Sequence, residues 1–280
     1  MAYNLKIEKL NHPLLKPLLK DVLPVFEKLG IKFFVIGATA RDIVLEVFKM
    51  ETSRRTQDID IAIAIEDWER FSEVKEEILK LSPFEPDSHQ LQKLIYKGSF
   101  EVDLVPYGKI ARDKNKIFWP PDHDIAMSVL GFEEIEQDLI EVDFGEGLRL
   151  KVASLLGVFL LKLTAWKDRH LKNNKDAEDL GLILQNYLPI NEERAVLEHY
   201  DEIYRLTDFT IVKGSAVLLG IDINKLLNES KAAKRELKQL IKTEIEKELK
   251  SPLFNQIIET NSMSFDEIES GFTLFFKQLK

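Results

Sequence analysis

The sequence predicts an α+β protein in two parts: a mixed, twisted sheet with flanking helices over residues 1–153, then an all-helical part over residues 154–280. Three observations carry this. Short apolar runs alternate with helix-spaced amphipathic segments through the first part. From Ser154 onward apolar residues recur at helical spacing almost to the end. Between the two, Gly145-Glu146-Gly147 turns the last predicted strand pair back on itself just before the pattern changes.

Taken in order, Pro13 to Gly30 places Leu14, Leu15, Leu18, Leu19, Val22, Val25, Phe26 and Leu29 on one helical face, and Gly30 is a stop. Phe33 to Ile36 reads as a buried strand, Gly37-Ala38 as a tight turn, and Thr39 to about Phe48 as a helix. After a polar loop, a second strand opens at Asp58-Ile59-Asp60. Glu66-Asp67 caps a helix running to about Leu81, with Trp68, Phe71, Val74, Ile78 and Leu81 inward. Gln92 to Lys97 and Phe100 to Val105 form a hairpin at Gly98-Ser99, and Leu139 to Phe144 with Leu148 to Val152 form another. Ser154 is the expected N-cap of the first helix of the second part. From Asn191 about four helices are expected, with polar connections at Leu206-Thr207, Asn228 to Ser230 and Lys250 to Pro252.

Composition narrows the class. The chain has 280 residues, 45% apolar and 31% charged, which allows one large or two ordinary domains with a sizeable core. With no cysteine there is neither a disulfide framework nor a Cys-based zinc site. No signal peptide is evident, and the greasiest run, Leu155 to Trp166, is interrupted by Lys162 and too short to span a bilayer. A cytoplasmic protein without membrane contact is expected. A net charge of -9 argues against a general nucleic-acid coat and leaves room for a local basic groove. The five histidines are scattered without metal-ligand spacing, and neither a nucleophile elbow nor a Walker sequence is present.

The residues that carry chemistry cluster between positions 37 and 60. On a strand, side chains two apart share a face, so Asp58 and Asp60 project together while Ile59, Ile61 and Ile63 point the other way. Paired carboxylates repel unless they bind cations, and all-oxygen ligands suit Mg²⁺. A strand that turns at Gly37 into a helix leaves backbone N–H groups free for phosphate oxygens. Asp103 sits on the polar face of its strand: alone it is an edge-strand surface residue, and beside the first two it is a third carboxylate. Arg41, in the first turn of the helix after Gly37, calls for an anion because its charge opposes the helix dipole. Gly214-Ser215 with Asp222-Ile223-Asn224 imitates the motif, but the interval is too short for a helix and a returning strand. Lys231 to Leu249 is amphipathic; its Lys-rich side, like that of Lys167, Arg169, His170 and Lys172, is either a solvated face or the wall of a polyanion groove.

The ordered set Gly37-Ala38-Thr39-Ala40-Arg41-Asp42, then Arg54-Arg55-Thr56-x-Asp58-Ile59-Asp60, resembles the nucleotidyltransferase superfamily typified by DNA polymerase β. Within it the chain is similar to the AbiEii/AbiGii toxins of abortive-infection and toxin–antitoxin systems. Val102 to Gly108, Trp119-Pro120-Pro121, Lys162 to Arg169 and Lys175 to Leu180 extend the likeness to about Leu184. The resemblance implies a polymerase β-like nucleotidyltransferase domain followed by a helical domain that completes the active-site cleft. It implies NTP as substrate and two Mg²⁺ ions, with Mn²⁺ as the alternative, held by Asp58, Asp60 and Asp103. Asp103 acts as general base, Lys162 and Asp168 belong to the active centre, and Gly37, Ala38, Thr39, Arg41, Arg55, Lys162 and Arg169 bind nucleotide. Lys175 and Asp179 are either supports of that centre or a plain ion pair. The acceptor it implies is RNA, with the tRNA 3′ end the specific expectation, under control of a cognate antitoxin. A small hydroxylated acceptor of the antibiotic type, and a non-catalytic nucleotide-binding regulatory module, are the alternatives. Where the family carries Gly-Gly or Gly-Ser, this chain has Gly37-Ala38, so a seryl hydroxyl is missing and Thr39 or backbone N–H groups take its place.

Overall fold

A computed structural model describes residues 2–10, 12–51, 56, 58–112 and 115–280. It divides into two compact units, residues 1–154 and 155–280.

The first unit contains β1 (Ala2–Asn4), α1 (Leu15–Leu29), β2 (Phe33–Ile36), α2 (Gly37–Val47), β3 (Asp58–Ala64), α3 (Trp68–Leu79), β4 (Phe84–Pro86), β5 (Lys93–Tyr96) and β6 (Phe100–Tyr107). It continues with β7 (Lys116–Trp119), β8 (Ile125–Ser128), α4 (Phe132–Ile135), β9 (Leu139–Asp143) and β10 (Arg149–Ala153). Eight strands form one mixed sheet in the order β1-β9-β10-β2-β3-β6-β5-β4, and β7 pairs with β8 as a separate ribbon. The contacts β1–β9, β10–β2 and β3–β6 are parallel, and the others in the sheet are antiparallel. The α+β expectation holds.

Register fixes the two faces of this sheet. Phe33 lies opposite Ile63 and Val35 opposite Ile61, and Phe26 of α1 packs on Phe33 with ring centroids 4.7 Å apart. Tyr96 of β5, on the same face, donates to Asp21 of α1 at 2.7 Å. That face is therefore the one α1 covers, and burial of Ile59, Ile61 and Ile63 stabilises it by roughly 1.5–3 kcal/mol per side chain. Asp58 and Asp60 point to the other face. Gly30, in the left-handed region at φ 64, ends α1 by returning its N–H to Glu27 O at 3.1 Å.

The helix after Gly37 begins two residues earlier than its apolar spacing indicates, at the glycine itself. Asp67 caps α3 by accepting from Arg70 N at 2.8 Å, and α3 ends at Leu79, with Leu81 half-buried beyond it. The short strands β1 and β4 and the β7–β8 ribbon are additions to the expected set. At three or four residues each they lack the length over which alternation can be recognised, and Pro86 and Pro120-Pro121 punctuate two of them.

The second unit is helical throughout its described elements: α5 (Leu155–Arg169), α6 (Lys175–Ile190), α7 (Glu192–Glu198), α8 (Tyr200–Tyr204), α9 (Ile211–Leu226), α10 (Lys231–Glu246), α11 (Pro252–Thr260) and α12 (Phe265–Gln278). Six of these follow Asn191, where about four were expected. The difference is the short pair α7 and α8, whose break at His199 carries no Gly or Pro signal. Helix α9 packs on α6 and α12, and α6 also meets α5 and α11. The Gly214-Ser215 decoy lies within α9, where a Cβ on Gly214 would stand 2.6 Å from Leu188 Cδ2. It is a close-packing glycine.

Candidate active site

Three strands bring the carboxylates together. Ile36 at the end of β2 is the register partner of Asp60 on β3, and Asp60 is in turn the partner of Asp103 on β6. Neighbouring strands lie about 4.8 Å apart, and partners share a face, so Asp58, Asp60, Glu101 and Asp103 line one patch of the face opposite α1. The hairpin adds a fifth group, because Lys93 on β5 is the register partner of Asp103.

Gly37 closes the patch. Its φ is 70°, and a Cβ placed on it would lie 2.0 Å from Asp60 Oδ2 and 2.9 Å from Asp60 Cγ. Only glycine both adopts that backbone and leaves the carboxylate this room. Ala38 and Thr39 follow, both buried. The Thr39 hydroxyl donates to Asp58 O at 2.7 Å, tying the first turn of α2 to the start of β3. Thr56 also serves β3, since its hydroxyl donates to Asp58 Oδ1. Thr39 thus anchors the strand with the atom that was expected to replace the missing seryl hydroxyl.

Arg41 finds its anion inside the protein. It is fully buried, and its Nε and Nη2 donate to Asp42 Oδ1 at 2.9 and 2.6 Å. The charge that opposes the helix dipole is therefore answered by the neighbouring carboxylate. Arg55 lies outside the described residues.

Lys93 is the residue that sequence reading missed. Its ammonium bonds the Glu101 carboxylate and stands 3.8 Å from Asp103 Oδ2. Burial pulls its pKa down, but the Glu101 hydrogen bond and the charges of Asp103, Glu101 and Asp58 outweigh that and raise it. The signal was present in the hairpin. With the turn at Lys97 to Ser99, paired positions count outward symmetrically from Tyr96 and Phe100, which sets Lys93 against Asp103.

In the second unit, Lys162 and Arg169 gather around buried carboxylates. Lys162 Nζ lies 3.0 Å from Asp176 Oδ1 and 2.6 Å from Asp179 Oδ2, while Arg169 grips Asp176 with Nε at 2.7 Å and Nη2 at 2.8 Å. Burial works to raise the Asp176 pKa, but the Arg169 fork and the Lys162 ammonium prevail and hold it at about 2. Burial likewise pulls Lys162 down, and Asp179 and Asp176 reverse that. Helix α5 does persist through Arg169, so Lys162, Trp166 and Arg169 share a face, whereas Asp168 is exposed some 240° around the helix from Lys162. The alternative of a Lys175–Asp179 ion pair is corrected, because Lys175 is exposed and Asp179 faces Lys162.

Among the described residues, no group of three or more His, Cys, Asp or Glu side chains is gathered as a metal cage. The donor chemistry nonetheless fits a hard divalent cation: three aspartates on neighbouring strands, one pressed into a space that a Cβ would fill. Mg²⁺ is commonly held by one or two carboxylates together with substrate phosphates, not by an all-protein cage.

No helix among the described residues is long and apolar enough to cross a membrane. No curated protein matches the chain. The sequence signature described as nucleotidyl transferase AbiEii toxin, type IV toxin–antitoxin system, matches residues 22–268 and so spans both units. That family implies a nucleotide substrate and an antitoxin partner. A glycine turn pressed on a DxD strand, with matching sequence across nearly the whole length, places the chain in the AbiEii family, the nucleotidyl transferase toxins of type IV toxin–antitoxin systems.

Proposed function

We propose that the protein transfers a nucleoside monophosphate from an NTP to a hydroxyl of RNA, the tRNA 3′ end being the specific acceptor, in a Mg²⁺-dependent reaction. The observation that carries the reading is the register that sets Asp60 opposite Asp103 and against Gly37.

The chain's own groups divide the work. Backbone N–H groups at the start of α2 receive the triphosphate, as helix N-termini do for phosphates generally. Asp58, Asp60 and Asp103 would hold Mg²⁺, whose chemistry is to neutralise charge on the phosphoryl oxygens and lower the pKa of the attacking hydroxyl. Asp103 takes the acceptor hydroxyl's proton. The new bond joins that oxygen to the α-phosphorus, the α–β anhydride bond breaks, and pyrophosphate leaves with its electron pair. Thr39 and Thr56 hold Asp58, and therefore β3, in place for this. Lys162 and Arg169 are proposed to act with nucleotide only through the carboxylates they hold.

The test is incubation with each α-labelled NTP and whole-cell RNA, with Asp60→Ala as the comparison. Labelled RNA is expected from the wild type, and at least ~1,000-fold less from the variant at unchanged melting temperature. Label retained by Asp60→Ala would remove the assignment. Label that appears only on small hydroxylated compounds would move the acceptor out of RNA.

A further inference from the structure

We propose that the groove between α10 and α12 docks the phosphate backbone of a single-stranded segment of the RNA acceptor. The proposal rests on the RNA reading above.

Helix α10 buries Ala233, Leu237, Leu240, Ile241 and Glu244. At 100° per residue, Lys231, Arg235, Lys238 and Lys242 fall on the opposite stripe, with Lys234 at its edge. Together with Lys280 they line a groove of about 600 Å³ whose lining includes no Asp or Glu side chain.

Outside the groove, ten of the 23 described lysines are answered by acids. Lys16 and Lys20 share Glu146 at 3.0 and 2.8 Å, Lys28 meets Glu77 at 2.7 Å, and Lys167 meets Glu236 at 2.8 Å. In the groove such pairing falls to one. Among the described residues Lys231, Lys234, Arg235, Lys238 and Lys280 make no ion pair; Lys234 donates to the neutral Asn224 at 2.9 Å, and only Lys242 has a partner, Glu246 at 3.5 Å. Two of the three acids of α10 are employed elsewhere: Glu236 holds Lys167, and buried Glu244 accepts from Ser251 at 2.8 Å. On a chain of net charge -9, five cations along one side of α10, only Lys242 of them paired with an acid among the described residues, are a local reversal of sign.

The shape matches an extended polyanion. From Lys231 to Lys242 the stripe runs about 16 Å, several times the ~3.4 Å axial spacing of phosphates along one strand of a duplex. Phe276 lies in the lining, with Lys238 Nζ 5.8 Å from its ring centroid. An aromatic face beside a cationic row is the combination that single-stranded nucleic acid uses, bases stacking while phosphates pair. An acidic peptide would use the row and not the ring.

The full-length protein would be titrated with a fluorescent mixed-sequence single-stranded RNA and, separately, with polyglutamate. The variant is the triple reversal Lys231→Glu, Arg235→Glu and Lys238→Glu. RNA binding is expected to weaken at least ~30-fold, and the slope of log K against log salt to shrink by about 2, from three lost contacts at ~0.7 each. Binding of NTP should not change. The milder triple Lys231→Gln, Arg235→Gln and Lys238→Gln, with its melting temperature measured alongside, is expected to lose about tenfold and covers misfolding of the reversal. Exposed Lys6, reversed in the same way, is expected to leave RNA binding at wild type. Wild-type RNA affinity and slope in both triples would overturn the groove, as would equal loss from Lys6→Glu, or loss of polyglutamate binding alone. Should the wild type bind RNA through the groove yet label none, the groove stands and the acceptor reading fails.

Discussion

At position 37 the site depends on what is missing from a side chain. The Gly37 backbone at φ 70 costs an L-residue about 1–2 kcal/mol, and Asp60 Oδ2 occupies the place a methyl would take. Gly37→Ala is therefore expected to displace Asp60 and lower turnover by ~100-fold, with a melting temperature reduced by only a few degrees. A variant that melts normally and keeps wild-type rates would show that Asp60 need not sit there. Lys93 offers the complementary case, because its ammonium shares the carboxylate patch and opposes a divalent cation arriving there. In Lys93→Gln the half-saturating Mg²⁺ concentration is expected to fall by up to about fivefold, for roughly 1 kcal/mol of removed repulsion. Calorimetric titration and the Mg²⁺ dependence of the rate both read this, and a raised Mg²⁺ requirement would refute it.

At the scale of elements, α5 and α6 are joined by a buried charge cluster, and that governs how substitutions there behave. Removing Lys162 takes its ammonium from Asp176 and Asp179, 1% and 0% exposed, and leaves Arg169 as the remaining partner of Asp176. Lys162→Met is expected to destabilise the protein by about 3–5 kcal/mol, so lost activity has to be read beside a denaturation curve. The linkage runs in opposite senses for the two charges. Asp176, depressed to about 2, contributes its stability fully above about pH 4 and loses it as pH falls toward 2, roughly 2 kcal/mol in all. Lys162, raised, contributes fully below the ordinary lysine pKa and loses it as pH climbs through its folded value. Urea unfolding at pH 7, 4 and 2.5 should show that acid loss, and Asp176→Asn should lack it. The same scale explains which elements were legible. Helices α1 and α3 and strands β2, β3 and β6 carry long periodic patterns or sharp punctuation, and they stand within a few residues of their expected bounds. Strands β1, β4, β7 and β8 carry neither.

Across the whole molecule, charge is distributed unlike its sum. The chain is acidic by composition, yet a largely uncompensated basic stripe lines one groove and a carboxylate patch stands on one sheet face. The sequence by itself determined the α+β class, the fall of Asp58 and Asp60 on one strand face, the need for glycine at 37 and the family resemblance. Each of these is a matter of residues a few positions apart, where the periods of strand and helix settle orientation. Tertiary structure alone decided that Asp103 is the register partner of Asp60, that Arg41 is buried against Asp42, that Lys162 is held by Asp176 and Asp179, and that α10 and α12 leave a groove without Asp or Glu side chains in its lining. Those facts join residues far apart in the chain or turn on burial, and only the packing of sheet and helices determines which distant groups meet and which cations remain uncompensated.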